Sequence, residues 1–529
     1  MRAPANLRAH LPWLLGALLV LGCGWIYREV SSFRFVDFDD DYNIVFNPHL
    51  GPLSWARVEW AFTDWAYMRR CVPLGWLGFS AVFGVSGLNP AGYHVAALGL
   101  HCLNALVVAA VLGRFATREL GADASPWRAF TVFMGAAFWA WHPLRVESVA
   151  WASSLLYEQA TWWVLAALWC QLAEHRVAAV ACHTLALLTY PIALGLAPLL
   201  VLLDARRDGW RRAFGRNAGH LAVALTVLAV TVFSRVAVTS AWSGAPALTD
   251  FPAGQRILQA LYIWGHYLWR PWWPAGFTPV DPVLLNLAHP SWRVLSGATL
   301  VLALTAWLLV SRRARATGGW FFLAHLAVLV PVLGLMEKPH FPNDRYGFLS
   351  HLVLAAALVL LVARRQVRRL ALAVVATGVL AFCVVVSGAQ TEIWRDTNAL
   401  WRHIVARLSP DDSPQLVYVR PALSSLRAGD TAAALARIDA GLRRRPDDAL
   451  LLAARAEIQR IAAESRATAA ALGLATPPSP EATLHFALAL KLARAGETEA
   501  AAQHLAEVAR IAPEYFARVT SRAPLPSAR

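Results

Sequence analysis

Long apolar runs alternate with short polar segments along the first three quarters of the chain. A helix needs about 20 apolar residues to cross a bilayer, with about 17–25 the usual range. The runs predict about eleven crossings, at 11–27, 92–113, 127–143, 153–173, 177–190, 191–203, 218–237, 293–311, 319–336, 345–363 and 370–390. The predicted fold class is therefore all-α, a polytopic helical membrane protein whose first helix is not cleaved.

Two parts of this pattern are irregular. The pair at 177–203 consists of short halves that meet at Tyr190-Pro191, so two crossings and a re-entrant hairpin both fit it. The apolar segment 72–90 contains several glycines and ends at Asn89-Pro90. If it crossed the membrane, every later basic cluster would change sides, so we predict a helix lying in the membrane interface.

The pattern changes after residue 390 to alanine, arginine, leucine and glutamate with helical periodicity. "RAGDTAAALARIDAGLRRRPDDA" (427–449) resembles "RAGETEAAAQHLAEVARIAPEYF" (494–516), and both their glycines and their prolines are 67 residues apart. That spacing is close to two tetratricopeptide (TPR) periods of about 34 residues, with a degenerate middle copy. We predict a transmembrane domain at 1–390 and a TPR-like domain at 391–529; a plain helical cap that binds nothing is the alternative.

Composition and charge support a membrane protein. The chain is 57% hydrophobic and 15% charged, with a formal net charge of +15. A cytoplasmic N-terminus would put every basic loop on the cytoplasmic side, as the positive-inside rule requires, so we predict an N-in, C-out topology and no nucleic-acid partner. These loops hold Arg114 and Arg118; Arg206, Arg207, Arg211, Arg212 and Arg216; Arg312, Arg313 and Arg315; and Arg364, Arg365, Arg368 and Arg369.

This topology places the other polar motifs on the extracytoplasmic face. They are "HPLRVESVAW" (142–151), "TYP" (189–191), "EKPHFPNDRY" (337–346), "TEIWRD" (391–396) and, in the long first loop at 28–91, "FVDFDDDYNIVFNPHL" (35–50). Carboxylates and arginines on one membrane face predict an active site open to that side. The four aspartates of the first loop fit two interpretations, solvated loop charges or a general base with a raised pKa, and their spacing does not separate them.

Several motifs together carry a family resemblance. "FVDFDD", "NPHL", "LNPAGYHVAALGLHCLN" (88–104), "HPLRVESVAW" and "PNDRY" resemble the transmembrane-and-TPR-repeat O-mannosyltransferases and their bacterial relatives, over nearly the whole chain. These are GT-C glycosyltransferases, which use lipid-phosphate sugars. The resemblance implies inverting transfer with Asp39 and Asp40 as catalytic residues, while Asp37 and Asp41 are expected to be solvated. The lipid-phosphate sugar is a substrate and no cofactor is certain. A divalent metal is left open, with Asp40 either binding it or orienting the acceptor, although no cysteine or histidine spacing supports a metal site.

Further site residues follow from the same resemblance. Arg145 and Arg345 are expected to bind the donor phosphate, because a guanidinium contacts phosphate oxygens in pairs; positioning loops against lipid headgroups is the alternative. Supporting roles fall to His142, Glu147, Asp344 and Tyr346. The two carboxylates either orient the arginines or are ordinary salt-bridge partners. His142 either bonds a substrate or caps a helix.

The chain also departs from the family pattern. Family members usually follow "HPLxVESVAW" with a run close to Gly-Arg-Lys-Asp, where this chain has Ser154, Leu155, Leu156 and Tyr157. Tyr190 replaces the lysine of the family's "SKPM". Cationic contacts to the donor are therefore missing.

We predict a divergent glycosyltransferase of a bacterial inner membrane. Its acceptor is expected to be a hydroxyl group of a periplasmic protein that the tail recruits. Two alternatives are a catalytically silent scaffold that presents the TPR-like tail and a transporter of polysaccharide or lipid. A transporter would be expected to carry internal repeats and midplane charges.

Overall fold

The computed structural model describes residues 5–65, 67–239, 252–335, 340–364 and 369–522. Within these ranges the regular structure is helical and contains no β-strand, which confirms the predicted all-α class. The chain forms two compact units. The first consists of Met1–Ser32, Val58–Gly78 and Tyr93–Trp394, and the second of Phe33–Arg57, Phe79–Gly92 and Arg395–Arg529. The second unit thus combines the C-terminal tail with two segments from the region of the predicted first loop. The predicted division at 390/391 places these two segments with the transmembrane domain.

Sixteen α-helices lie before residue 395 in the described part of the chain, and the boundaries between the units fall within the second, third and fourth of them. They are α1 Ala5–Ile26, α2 Trp55–Thr63, α3 Pro73–Ser86, α4 Pro90–Leu120, α5 Pro126–Trp141, α6 Val146–Ala150, α7 Leu155–Leu172, α8 Arg176–Thr189, α9 Leu196–Asp208, α10 Trp210–Arg216, α11 Ala218–Thr239, α12 Ala253–Trp269, α13 Trp292–Val310, α14 Arg312–Leu329, α15 Phe348–Ala363 and α16 Arg369–Thr391.

Several of these helices are long and apolar enough to cross a membrane, so the protein is a polytopic helical membrane protein. Among the described residues there are 5 such segments, His10–Ser32, Pro90–Leu120, Trp292–Val310, Asp344–Ala363 and Arg369–Trp394, or 6 if α10 and α11, bent by 66°, count as one. The other five predicted crossings coincide with helices that are shorter, less apolar or interrupted by turns. The total of eleven and the N-in orientation therefore stay predictions.

Both irregular segments have the local structure that their residues predict. α8 ends at Thr189, Tyr190 is extended, and a short turn at Pro191–Gly195 leads into α9, because proline disfavours helix in the residue before it. α3 has 14 residues, which corresponds to a length of about 21 Å against a hydrocarbon core of about 30 Å. That length does not reach across a bilayer, and its place in the interface stays a prediction.

Two of the basic loops of the first unit lie together. Arg118 pairs with Asp204 at 2.9 Å, and Arg206 pairs with Glu119 at 2.8 Å. The ring of Trp210 lies 6.0 Å from that of Trp320 on α14. The first two basic clusters therefore belong to helix ends that contact each other. Arg365 and Arg368, like residues 337–339 of the "EKPHFPNDRY" motif, lie outside the described residues.

The tail of the second unit is built from helical hairpins. Its helices are α17 Thr397–Val405, α18 Arg420–Arg427, α19 Thr431–Arg444, α20 Ala449–Leu472, α21 Pro480–Arg494, α22 Thr498–Ile511 and α23 Pro513–Arg522. The two similar stretches form equivalent turns at Gly429 (φ +87°) and Gly496 (φ +80°), where only glycine is unstrained. Where the sequence predicts a degenerate middle copy, α20 is one helix of 24 residues, because no glycine or proline interrupts it.

Candidate functional site

The "HPLRVESVAW" motif forms the connection between α5 and α7. His142 caps the turn Pro143–Arg145: its Nδ1 accepts the Leu144 N–H at 3.1 Å, and its Nε2–H donates to the Pro271 carbonyl at 3.0 Å. Because both ring nitrogens have backbone partners, the ring is held in one neutral tautomer. The structure thus contains the helix cap, and a substrate contact by His142 would require one of these bonds to break.

Glu147 and Arg345 bring two of the motifs together. Their side chains form an ion pair, and the Arg345 backbone N–H donates to Glu147 Oε2 at 3.2 Å. Both residues are buried. The Arg345 guanidinium also lies over the rings of Trp151, at 4.9 Å, and Tyr346, at 4.8 Å. Glu147 is therefore the ion-pair partner of Arg345, which fits both roles that the sequence left open, and the aromatic rings confine the guanidinium further.

Arg145 is the least satisfied cation of this cluster. It is 1% exposed, and among the described residues its guanidinium makes one long hydrogen bond, from Nη2 to the Asp344 carbonyl at 3.5 Å, while Nε has no acceptor. Burial lowers the pKa of Arg145 and the Glu158 carboxylate opposes this, so the group remains a cation. A buried cation without hydrogen-bonded anions costs several kcal/mol. Its geometry suits an oxyanion with several acceptor oxygens.

Asp344 and Tyr346 complete the cluster. Asp344 is buried in the field of three arginines, Arg270, Arg145 and Arg345. Tyr346 stacks on His340 with ring centroids 5.5 Å apart. The structure thus brings together Arg145, Glu147, Asp344, Arg345 and Tyr346, five of the eight predicted site residues.

The positions that depart from the family pattern are filled by uncharged side chains. Leu155 and Leu156 are buried, at 3% and 1% exposure. The Tyr157 hydroxyl donates to the Tyr190 hydroxyl at 2.9 Å, and the Tyr157 ring lies 5.6 Å from the Arg345 guanidinium. A hydrogen-bonded tyrosine pair therefore stands where the resemblance expects an aspartate and a lysine.

Glu158 lies beside this cluster and is not among the site residues predicted from the sequence. It is 2% exposed and accepts a hydrogen bond from Asn104 Nδ2 at 2.8 Å, and His101 Nδ1 lies 3.3 Å from it. The His101 Nε2 reaches the Ala140 carbonyl at 3.0 Å. The signal was available, because an acidic residue inside an apolar run is costly and is usually functional or paired.

The acidic loop belongs to the second unit. Asp40 is 0% exposed, and its Oδ2 accepts the Val36 N–H at 2.8 Å. Asp39 is partly exposed, and its carbonyl accepts the N–H groups of Tyr42 at 3.1 Å and Asn43 at 2.8 Å. The two predicted catalytic aspartates therefore differ: the Asp40 carboxylate closes the loop from the interior, whereas Asp39 is partly exposed.

The expectation that Asp37 and Asp41 are solvated is wrong. The Arg427 Nη1 forms ion pairs with both carboxylates, at 2.9 Å from Asp41 Oδ2. Burial raises the pKa of Asp37 to about 7, although Arg427 acts in the opposite direction. The sequence offered no link between these aspartates and an arginine almost 400 positions away, because such a pairing is set by the tertiary fold.

Asp39 and Asp40 thus lie in the second unit, and Arg145, Arg345 and their neighbours in the first. Within the described ranges, no three His, Cys, Asp or Glu side chains are grouped as metal ligands.

Comparison with known proteins gives one structural likeness. No family model and no curated protein matches the sequence. The chain is similar to the crystal structure of ArnT from Cupriavidus metallidurans bound to undecaprenyl phosphate. The two are 16% identical, the likeness covers 87% of this chain and 79% of that one, and the TM-score is 0.34. Values this low assign the chain to no family.

Proposed function

We propose that this protein is a GT-C-type membrane glycosyltransferase that moves a sugar from a polyprenyl-phosphate donor to a hydroxyl group of an extracytoplasmic acceptor. The observation that carries the proposal is the buried Arg145 guanidinium, whose donors are largely unfilled among the described residues. A lipid phosphate supplies the oxygens that such a group lacks and keeps its own chain in the membrane.

The proposed reaction is a single inverting displacement. The acceptor hydroxyl attacks the anomeric carbon, the bond from that carbon to the phosphate oxygen breaks, and the lipid phosphate leaves. Asp39 accepts the hydroxyl proton as general base, because it is the partly exposed member of a pair whose other member is buried. Arg145 stabilises the charge that develops on the leaving phosphate. Arg345, oriented by Glu147, contributes a second cation, and Asp40 keeps the loop in shape.

The finer assignments belong to the same proposal. The donor sugar is mannose, and the protein lies in a bacterial inner membrane with Asp39 and the tail on the periplasmic side. The region from 391 onward is a TPR-like domain that recruits a protein acceptor. The equivalent turns at Gly429 and Gly496 support a repeat, and the motif resemblance supports the sugar and the acceptor class.

The test uses the purified full-length chain in lipid nanodiscs with polyprenyl-phosphate mannose labelled in the sugar. Donor binding and transfer to a periplasmic protein extract are measured for the wild type, for Arg145→Gln and for Arg176→Gln, a half-exposed control. Loss of one preorganised donor to developing charge costs about 10²–10³ in rate, so Arg145→Gln should lose that much transfer and also bind the donor less tightly. The control should match the wild type.

Two results would contradict the proposal. Equal transfer by Arg145→Gln and the wild type would assign Arg145 to structure. A wild-type chain that neither binds the donor nor transfers the label would support the silent scaffold, and movement of the intact donor across the bilayer without transfer would support a transporter.

A further inference from the structure

The acidic loop is attached to the beginning of the tail within the second unit. The Asp37 N–H donates to Thr397 Oγ1 at 2.9 Å, and the Trp401 indole N–H donates to the Asp37 carbonyl at 3.0 Å. The Arg34 N–H donates to the Arg395 carbonyl at 2.9 Å. Thr397 and Trp401 both lie on α17, so this helix fixes the backbone on the N-terminal side of Asp39.

Arg427, the last residue of α18, fixes the loop on both sides of Asp39. Its Nη1 contacts Asp37 and Asp41, and these two carboxylates flank Asp39 and Asp40 in the chain. The Arg427 guanidinium is also 5.8 Å from the Phe46 ring. Asp37 and Asp41 share one guanidinium nitrogen, and without this cation their carboxylates would repel each other. Arg427 therefore both attaches the loop to α18 and offsets the negative charge of the loop.

The C-terminal part of the loop, residues 46–57, contacts the second helical hairpin of the tail, formed by α21 and α22. Arg57 Nη2 pairs with Glu497 at 2.8 Å, and Arg57 side-chain groups bond the carbonyls of His49 and Pro52. The Phe46 ring lies 4.9 Å from that of His485. Contacts with both hairpins therefore hold residues 34–57, which is a different task from recruiting an acceptor.

We propose that Arg427 is a positioning residue for the reaction: through Asp37 and Asp41 it holds Asp39 in the orientation that accepts the acceptor's proton. This rests on the proposed function of Asp39. The tail then serves the chemical step itself, because its first helical hairpin sets the shape of the loop that carries the base. A general base acts only within hydrogen-bond reach of the proton, so a small displacement of Asp39 lowers the rate constant without changing donor affinity.

The experiment combines hydrogen exchange with transfer kinetics on the full-length chain in nanodiscs. Arg427→Ala should lower the exchange protection of amides in 36–46 and lower kcat at least tenfold, while KM for polyprenyl-phosphate mannose changes less than twofold. Arg437→Ala, an exposed arginine on α19, is the matched control and should change neither. Arg427→Lys should lie between, because a single ammonium is a poorer bridge between two carboxylates than a guanidinium.

A charge-neutral loop provides the rescue. The double variant Asp37→Asn/Asp41→Asn has no loop charge that needs Arg427 as a counter-ion. Adding Arg427→Ala to this double variant should therefore lower kcat by less than a further twofold. A merely structural arginine predicts the same fall in both backgrounds. Lost protection with unchanged kcat, or unchanged protection, would overturn the proposal. If the wild type transfers no sugar, the proposed function fails, and exchange alone then decides whether Arg427 holds the loop.

Discussion

The two candidate regions differ in how their charged groups are paired. In the first unit, the Arg145 guanidinium has more hydrogen-bond donors than the surrounding described residues satisfy, because Glu158 is bound by Asn104 and Glu147 by Arg345. In the second unit, two of four neighbouring carboxylates share one cation, Arg427. Unfilled guanidinium donors suit an anionic ligand, whereas a carboxylate suits proton acceptance. The proposed function therefore uses the first region for phosphate binding and the second for base catalysis.

The largest expected effect separates the two aspartates of the acidic region. Asp39→Asn should lower kcat for transfer by about 10²–10⁴, the typical contribution of a general base, with donor binding and exchange protection unchanged. Asp40→Asn should instead lower the protection of the loop, because the Asp40 carboxylate accepts the Val36 N–H in the interior. Transfer kinetics and hydrogen exchange on both variants test this. Full activity of Asp39→Asn would mean that the acidic region has no part in the reaction, and the proposed contrast between the two regions would be wrong.

The next effect concerns pH and the acidic region alone. The folded-state pKa of Asp37 is raised from 3.8 to about 7 by burial, with Asp41 acting in the same direction and Arg427 and Arg420 against it. A raised carboxyl pKa favours the protonated folded form, so the free energy of loop opening should fall as pH rises from 5 to 7 and level off above 7. For one proton the change is at most about tenfold in the opening constant per pH unit.

Exchange rates of amides in 36–46, corrected for their intrinsic pH dependence, measure this slope. Asp37→Asn should abolish it, and amides of α20 serve as the internal reference. A slope of the opposite sign would mean that the ion pair with Arg427 outweighs the burial of Asp37.

Local backbone features could be predicted from the sequence, whereas contacts between distant residues could not. The break at Tyr190-Pro191 and the turns at Gly429 and Gly496 follow from backbone restrictions of single residues, which the sequence displays directly. The pairing of Glu147 with Arg345 was among the stated alternatives, since both motifs were placed on one membrane face. The contacts of Arg427 with Asp37 and Asp41 were not, because charge patterns along a chain do not specify partners hundreds of residues apart.

The smallest expected effect sharpens the description of the arginine region. Tyr157 and Tyr190 occupy positions where the resemblance expects charged residues, and their hydroxyls are hydrogen-bonded at 2.9 Å. If this pair replaces a charged pair as a unit, each single change to phenylalanine should lower the free energy of unfolding by about 0.5–1.5 kcal/mol. The double change should cost less than the sum of the two, since no partner is then left unsatisfied.

Thermal unfolding midpoints in nanodiscs for both single variants and the double variant give this coupling, with Tyr418→Phe in the tail as a tyrosine control. Donor binding should stay within twofold in all of them, because Arg345 keeps Glu147 as its anionic partner. Strictly additive losses would mean that the hydroxyls act independently, and a large loss of donor binding would place the pair in contact with the phosphate instead.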